Sequence, residues 1–181
     1  MKKILVLAGL LGTASLAQAQ DDYVITNAKD TLYGIVKGAT PAQQSVKVTF
    51  VRDGKTVVYK PNDIQEWGNT KNQYIFEAKG YERKGELAPL GVFMRRYTAK
   101  NAPVRYYTYY NIDGEQGYFQ HFLQKNENMI EVPTNKKFYE FMAEYFKDYP
   151  ELSQQILNKE FKKSQIEKIV AKYNTWKLNI R

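Results

Sequence analysis

Apolar and polar residues alternate in short runs over the first two thirds of the chain and change to a helical period in the last third. In "DTLYGIVKG", Leu32, Gly34 and Val36 fall on one side and Tyr33, Ile35 and Lys37 on the other, which is the period of a strand. "VKVTFV" groups Val46, Val48 and Phe50. "RDGK" supplies an Asp53-Gly54 hairpin turn, and "TVVYK" returns from it. Pro61-Asn62-Asp63 breaks the run, a short strand follows from Ile64 to Trp67, and "QYIFEA" adds another. Short strands at such close spacing predict a small barrel or strongly curled sheet over residues 23–81.

Residues 90–132 read as an antiparallel meander built from "GVFMRRYT", "VRYYTYYN", "GYFQHFLQK" and "MIEV". Tyrosine, phenylalanine and threonine suit a pleated, half-buried surface. In "VRYYTYYN", Val104, Tyr106, Thr108 and Tyr110 oppose Arg105, Tyr107, Tyr109 and Asn111. The first set carries no charge, so Tyr106 and Tyr110 are expected inward. Tyr107 and Tyr109 are expected toward solvent or a shallow groove.

From 134 to 176 the period lengthens. Thr134 or Asn135 can cap a helix, and Phe138, Phe141, Met142, Tyr145, Phe146 and Tyr149 then form one apolar stripe. Pro150 ends that helix and opens a second, with Leu152, Ile156 and Leu157 inward. Ser164 to Glu167 has the form of a capping box before Ile169, Val170 and Tyr173. The predicted class is α+β: a small curled, barrel-like sheet, then a β-meander, then a C-terminal helical segment. "GYERKGELAPLG" is the best internal boundary, but it is short, and residues 20–181 are expected to form a single domain.

The start of the chain changes this picture. "MKKILVLAGLLGTASLAQAQ" runs from Lys2 and Lys3 through an apolar stretch to Ala17-Gln18-Ala19, the order of a secretory signal peptide over 1–19. Its apolar part is shorter than the roughly 20 residues that span a bilayer. Removing it takes away two lysines and no acid, so the formal net charge of +8 becomes +6. A periplasmic or extracellular location follows as the expectation, with no transmembrane segment in the mature chain. There is no cysteine, which excludes disulfides, thiol catalysis and cysteine-bound metals.

Candidate chemistry is sparse. His121 is the single histidine, and no second histidine or cysteine can complete a metal site with it. It is expected to be a half-buried or edge residue with a local hydrogen bond. Ser45, Ser153 and Ser164 have no nucleophile-elbow context. Asp63 with Glu66 and Glu140 with Glu144 are the closest carboxylate pairs, and such pairs are mostly solvated surface. "NIDGEQ" has the outline of a calcium loop but lacks the distal glutamate. Metal ligands and cofactors are therefore not expected. Basic residues gather loosely as Arg83, Lys84, Arg95, Arg96, Lys100 and Arg105. Export makes nucleic acid an unsuitable physiological partner for them. An anionic envelope polymer, a lipid head group or an envelope protein fits better. Arg95, Arg105, Tyr107 and Tyr109 are the candidate ligand-binding residues, because tyrosine and arginine are enriched at binding hot spots.

The serial order of "KDTLYGIV", "YKPNDIQEWG", "GVFMRRYTAKNAPVRYYTYY" and "YPELSQQILNKEFKKSQIEKIVAKYN" resembles an uncharacterised family of secreted proteins common in Bacteroidetes. "MRRY" departs from that pattern, with two arginines where the family tends to be apolar. The resemblance implies export and brings no activity or catalytic residues. The expectation is a non-catalytic exported cell-envelope protein that binds or assembles with another component. A carboxylate-dependent hydrolase acting on an envelope glycan or peptide is the alternative. A concave site holding two carboxylates with perturbed pKa values would favour the hydrolase.

Overall fold

The computed structural model describes residues 22–80, 91–113 and 116–180. The expected signal peptide, Arg83 and Lys84, and all but the ends of the boundary stretch lie outside the described residues. The first six strands are β1 (Asp22–Thr26), β2 (Thr31–Val36), β3 (Val48–Arg52), β4 (Lys55–Tyr59), β5 (Ile64–Asn69) and β6 (Tyr74–Lys79). Then come β7 (Val92–Arg96), β8 (Val104–Asp113), β9 (Gln116–Lys125) and β10 (Asn128–Glu131). The helices are α1 (Pro41–Gln44), α2 (Phe138–Tyr145), α3 (Pro150–Leu157) and α4 (Ile166–Asn179).

The ten strands of the described residues join one antiparallel sheet in the order β10-β9-β8-β7-β6-β5-β1-β2-β3-β4. The two β regions are thus one sheet. It is open, with β10 and β4 as its edges, and not the closed small barrel its strand spacing suggested. It does bend back on itself. Phe93 of β7 donates its backbone N–H to the Ser45 carbonyl just before β3 at 2.9 Å, although four strands separate β7 from β3 in the sheet. Val48 and Phe50 accordingly share a core with Val24, Trp67, Phe76 and Phe93. At the β3–β4 turn, Asp53 and Gly54 both take positive φ, as an Asp-Gly hairpin requires. One strand was not anticipated: β1 lies in mid-sheet between β5 and β2.

The helices cover the β8–β9 end of the same face. Val104, Tyr106 and Leu123 pack against Phe138, Met142, Phe146, Leu152, Ile156, Ile169, Val170 and Tyr173. Pro150 opens α3 as expected, but Leu157 is exposed instead of inward. Asn135 precedes α2, its side chain accepting the Lys137 N–H. Ser164 is not the cap of α4; it sits in a short 3-10 turn, where the Gln165 side chain accepts the Lys162 N–H. Asn174 of α4 donates to the Val104 carbonyl and accepts from the Val104 N–H, both at 2.8 Å, which ties the last helix to the start of β8.

Candidate functional site

Strand register alone brings together a charge cluster that the sequence did not reveal. β5 and β6 place Glu66 directly opposite Glu77, and β6 and β7 place Ile75 opposite Arg96, so these side chains share the face opposite the helices. Tyr23 of β1 and Tyr107 of β8 point to the same face. Glu66 is 5% exposed, Glu77 6% and Arg96 8%. Burying charges is costly unless they are paired.

They are paired. Glu66 Oε1 accepts from the Tyr23 hydroxyl at 2.7 Å and Oε2 from Arg96 Nη2 at 3.4 Å. Glu77 Oε2 accepts from the Tyr107 hydroxyl at 2.9 Å and lies 2.7 Å from Lys79 Nζ. Arg96 Nε sits 2.6 Å from Glu77 Oε1, an ion contact in which the N–H does not point at the oxygen, so neither atom gains a hydrogen bond. Arg96 Nη1 donates to the Thr98 carbonyl at 2.6 Å. Tyr23 reaches Glu66 by lying over Gly68, where an added Cβ would sit 2.3 Å from its ring. Burial alone would raise the Glu77 carboxyl, but the ammonium of Lys79, the Arg96 guanidinium and the Tyr107 hydroxyl together hold it below the usual carboxylate range. Burial, reinforced by the neighbouring carboxylates, pushes the Tyr23 and Tyr107 phenols up, so both remain neutral donors.

Two hollows adjoin this cluster. One, of about 360 Å³, is lined by Glu66, Glu77, Lys79, Lys100 and Arg105 together with Asn27 and Gln65. The other, of about 290 Å³, is lined by Lys100, Arg105, Lys125 and Lys177 together with Asn101, Asn126 and Tyr173. Lys100, in the β7–β8 loop, and Arg105 belong to both. Three residues of the second hollow share one carboxylate: Asp148 Oδ2 accepts from Tyr173 at 2.7 Å, Lys125 at 3.2 Å and Lys177 at 3.4 Å. Burial opposes the ionised form of Asp148, but these three donors prevail and lower its pKa. The Lys100 side chain is 65% exposed, and its nearest carboxylate oxygen, 3.8 Å away, belongs to the already committed Glu66.

The expected ligand-binding residues are not assembled into one platform. Arg105, Tyr107 and Tyr109 share a face, and Arg105 walls both hollows. Tyr107 does not face solvent: it is fully buried, packed with Met94 and Phe122, with Lys79 over its ring at 4.9 Å. Tyr109 is half-buried beside the same cluster. Arg95 is on the opposite face, stacked on Tyr74 at 3.8 Å and Tyr97 at 4.5 Å. Tyr106 is buried, and Tyr110 is half-buried.

The other candidates also have plain structural roles. His121 is half-buried, 2.7 Å from the Tyr106 hydroxyl through Nδ1, and burial lowers its pKa. Asp63 accepts the Lys60 N–H in an exposed turn and does not meet Glu66. Glu144 pairs with Lys147 at the surface. Asn111 donates to the Tyr118 hydroxyl. Among the described residues, no three or more His, Cys, Asp or Glu side chains come together as metal ligands. The signals that mark the cluster were charges inside apolar strands: Glu66 in "IQEWG", Glu77 in "YIFEAK" and Arg96 in "FMRRY".

Chemically, the paired carboxylates are poor general acids. A general acid needs a carboxyl raised toward the working pH. Glu77 is lowered, and both oxygens of Glu66 already accept from Tyr23 and Arg96. What the hollows offer outward is the exposed Lys100 ammonium and the excess of Lys125 and Lys177 over Asp148. No protein-family model, curated protein or solved structure matches the chain.

Proposed function

We propose that this is an exported cell-envelope protein that binds an anionic envelope component and performs no catalysis on it. One observation carries the reading: the carboxylates beside the hollows are committed to internal partners, while Lys100 and Arg105 line both hollows at once. Burial of Glu66 and Glu77 spends their charge on Arg96, Lys79 and the two tyrosines. The Lys100 ammonium is exposed and lies 3.8 Å from a carboxylate that Arg96 and Tyr23 already engage, which leaves it accessible to a ligand. The basic–apolar–Ala17-Gln18-Ala19 opening supports export, as does the motif order that resembles secreted Bacteroidetes proteins.

The test is co-sedimentation with the envelope fraction of the native host. The protein should pellet at low ionic strength and be released by salt, because exposed charges separated by more than a Debye length of roughly 10 Å at 0.1 M are screened. Lys100→Glu should remain in the supernatant while its melting temperature stays unchanged. Equal, salt-insensitive sedimentation of both proteins would refute the reading.

A further inference from the structure

Resting on the reading that the hollows bind an anion, we infer that the ligand is an acidic polysaccharide lying across both hollows, with its acid groups on the lysines and arginine and its hydroxyls on the neighbouring amides. Three observations point there.

The first is continuity. Lys79 belongs to one hollow, Lys125 and Lys177 to the other, and Lys100 and Arg105 to both. Lys79 is paired with Glu77, Arg105 lies 3.9 Å from the exposed Glu127, and Lys125 and Lys177 share Asp148. These four cations meet three carboxylates, and with Lys100 their excess charge is spread over both hollows instead of converging on a point. A single phosphate or carboxylate is satisfied by two or three donors at one spot. Charge spread in this way calls for a ligand with repeating charge.

The second is the accompanying chemistry. Each hollow adds two neutral amides to its cations: Asn27 and Gln65 in one, Asn101 and Asn126 in the other. The Asn27 amide nitrogen donates to the Asn62 carbonyl and that of Gln65 to the Asn27 carbonyl, which leaves a side-chain carbonyl oxygen on each as an acceptor. Amides that both donate and accept match sugar hydroxyls, as cations match uronate or sulfate groups.

The third is what does not line the hollows. A lipid site would add exposed apolar side chains for the acyl region. The large apolar side chain in the hollows is Ile64, and it is buried. Single-stranded nucleic acid binds through open aromatic faces. Tyr173, the aromatic lining residue, is buried and directs its hydroxyl to Asp148.

The experiment is a length series read by calorimetry or fluorescence anisotropy on the purified protein. The probes are galacturonate, oligogalacturonides of increasing length, neutral dextran, inorganic phosphate, single-stranded DNA, and vesicles of mixed phosphatidylglycerol and phosphatidylcholine. Galacturonate and dextran should bind negligibly. Oligogalacturonide affinity should rise at least tenfold with length and then level off once the chain spans both hollows, and should fall as salt is raised. Lys177→Gln, in one hollow only, should lower the affinity of long oligomers several-fold and leave short ones little changed. Lys100→Gln, in the shared wall, should weaken both. Circular dichroism must show both variants folded. Affinity that does not grow with length overturns the polysaccharide inference. So does tighter binding of vesicles, phosphate or DNA, although the anion-binding reading then survives. If no anionic probe binds, that reading falls as well.

Discussion

Arg96→Leu is the sharpest test of how this fold tolerates charge in its interior. Leucine keeps part of the apolar bulk and removes the guanidinium. That group contacts Glu66 at 3.4 Å and Glu77 at 2.6 Å and donates to the Thr98 carbonyl at 2.6 Å. Glu77 would keep Lys79 and Tyr107; Glu66 would keep Tyr23 and the more distant Lys100. Removing one member of a buried ion pair costs about 3–5 kcal/mol, because the remaining charge is left uncompensated. Set against the roughly 5–15 kcal/mol of a typical domain, such a loss is a large fraction of the whole. Urea unfolding near pH 7, followed by fluorescence of the buried Trp67 and by far-UV circular dichroism, measures it.

The pH dependence gives the argument a sign. The folded-state pKa of Glu77 is depressed in the native protein. Its contribution is complete above the unfolded carboxylate value and is lost as pH falls through the folded one. Without Arg96 one of the groups that hold the carboxyl down is gone, so its pKa moves upward toward the unfolded value, while Lys79 and Tyr107 remain. The variant therefore has less carboxylate-dependent stability to lose than the wild type when the pH is lowered. The deficit against wild type should therefore hold from about pH 7 to about pH 5 and shrink as the pH falls below the ordinary carboxylate value. Glu66→Gln and Glu77→Gln added to Arg96→Leu should restore part of the loss, since fewer charges then remain buried and unpaired. A loss under about 1 kcal/mol at pH 7, or a deficit that does not shrink on acidification, would mean that Arg96 does not hold these carboxylates.

Two further outcomes are expected. Phe146→Ala should cost about 3–5 kcal/mol in urea unfolding, and Phe141→Ala clearly less, because Phe146 is fully buried against Tyr173 while Phe141 is half-buried; equal losses would contradict this packing of α2. Mass spectrometry of the protein from its native host should find a mature N-terminus at Gln20, with Gln18 the second choice, and an intact Met1 in the mature envelope pool would end the export proposal.

Most of the fold was legible because it depends on local periodicity. The alternation that grouped Val48 with Phe50 and Tyr33 with Ile35 survives in the sheet, the first pair buried and the second exposed, although Val46 of the first group is exposed, and the i, i+4, i+8 series of Phe138, Met142 and Phe146 is the buried stripe of the helical end. What could not be read depends on which strand lies beside which. β1 inserts between β2 and β5 by pairing with both, and five residues with a single fully buried side chain, Val24, carry little pattern of their own. Openness of the sheet is a property of its edges, which spacing does not encode. Tyr107 shows the limit within one strand. Alternation assigned it to the correct face, but whether a second face is covered is decided by residues far away in the sequence. Here that face is itself a core of Val92, Met94, Tyr107 and Phe122.

The site was hidden for a related reason, and it links the interior charge to the exposed one. Adjacent strand residues point to opposite faces, so Arg95 and Arg96 could never act together. One stacks on Tyr74 and Tyr97; the other is buried among carboxylates contributed by β5 and β6. Only the register reveals those partners. Arg96 also reaches forward into the loop that follows it. Its Nη1 bonds the Thr98 carbonyl, the Thr98 hydroxyl accepts the Tyr106 N–H, and the Tyr97 N–H bonds the Tyr106 carbonyl. That loop carries Lys100 two residues beyond Thr98, into the wall shared by both hollows. A buried cation thus fixes the base of the loop from which an exposed cation is presented. The second arginine of "MRRY" therefore has a physical rationale: with Lys79 it neutralises two interior carboxylates and, through the same guanidinium, it positions the residue proposed to meet the ligand.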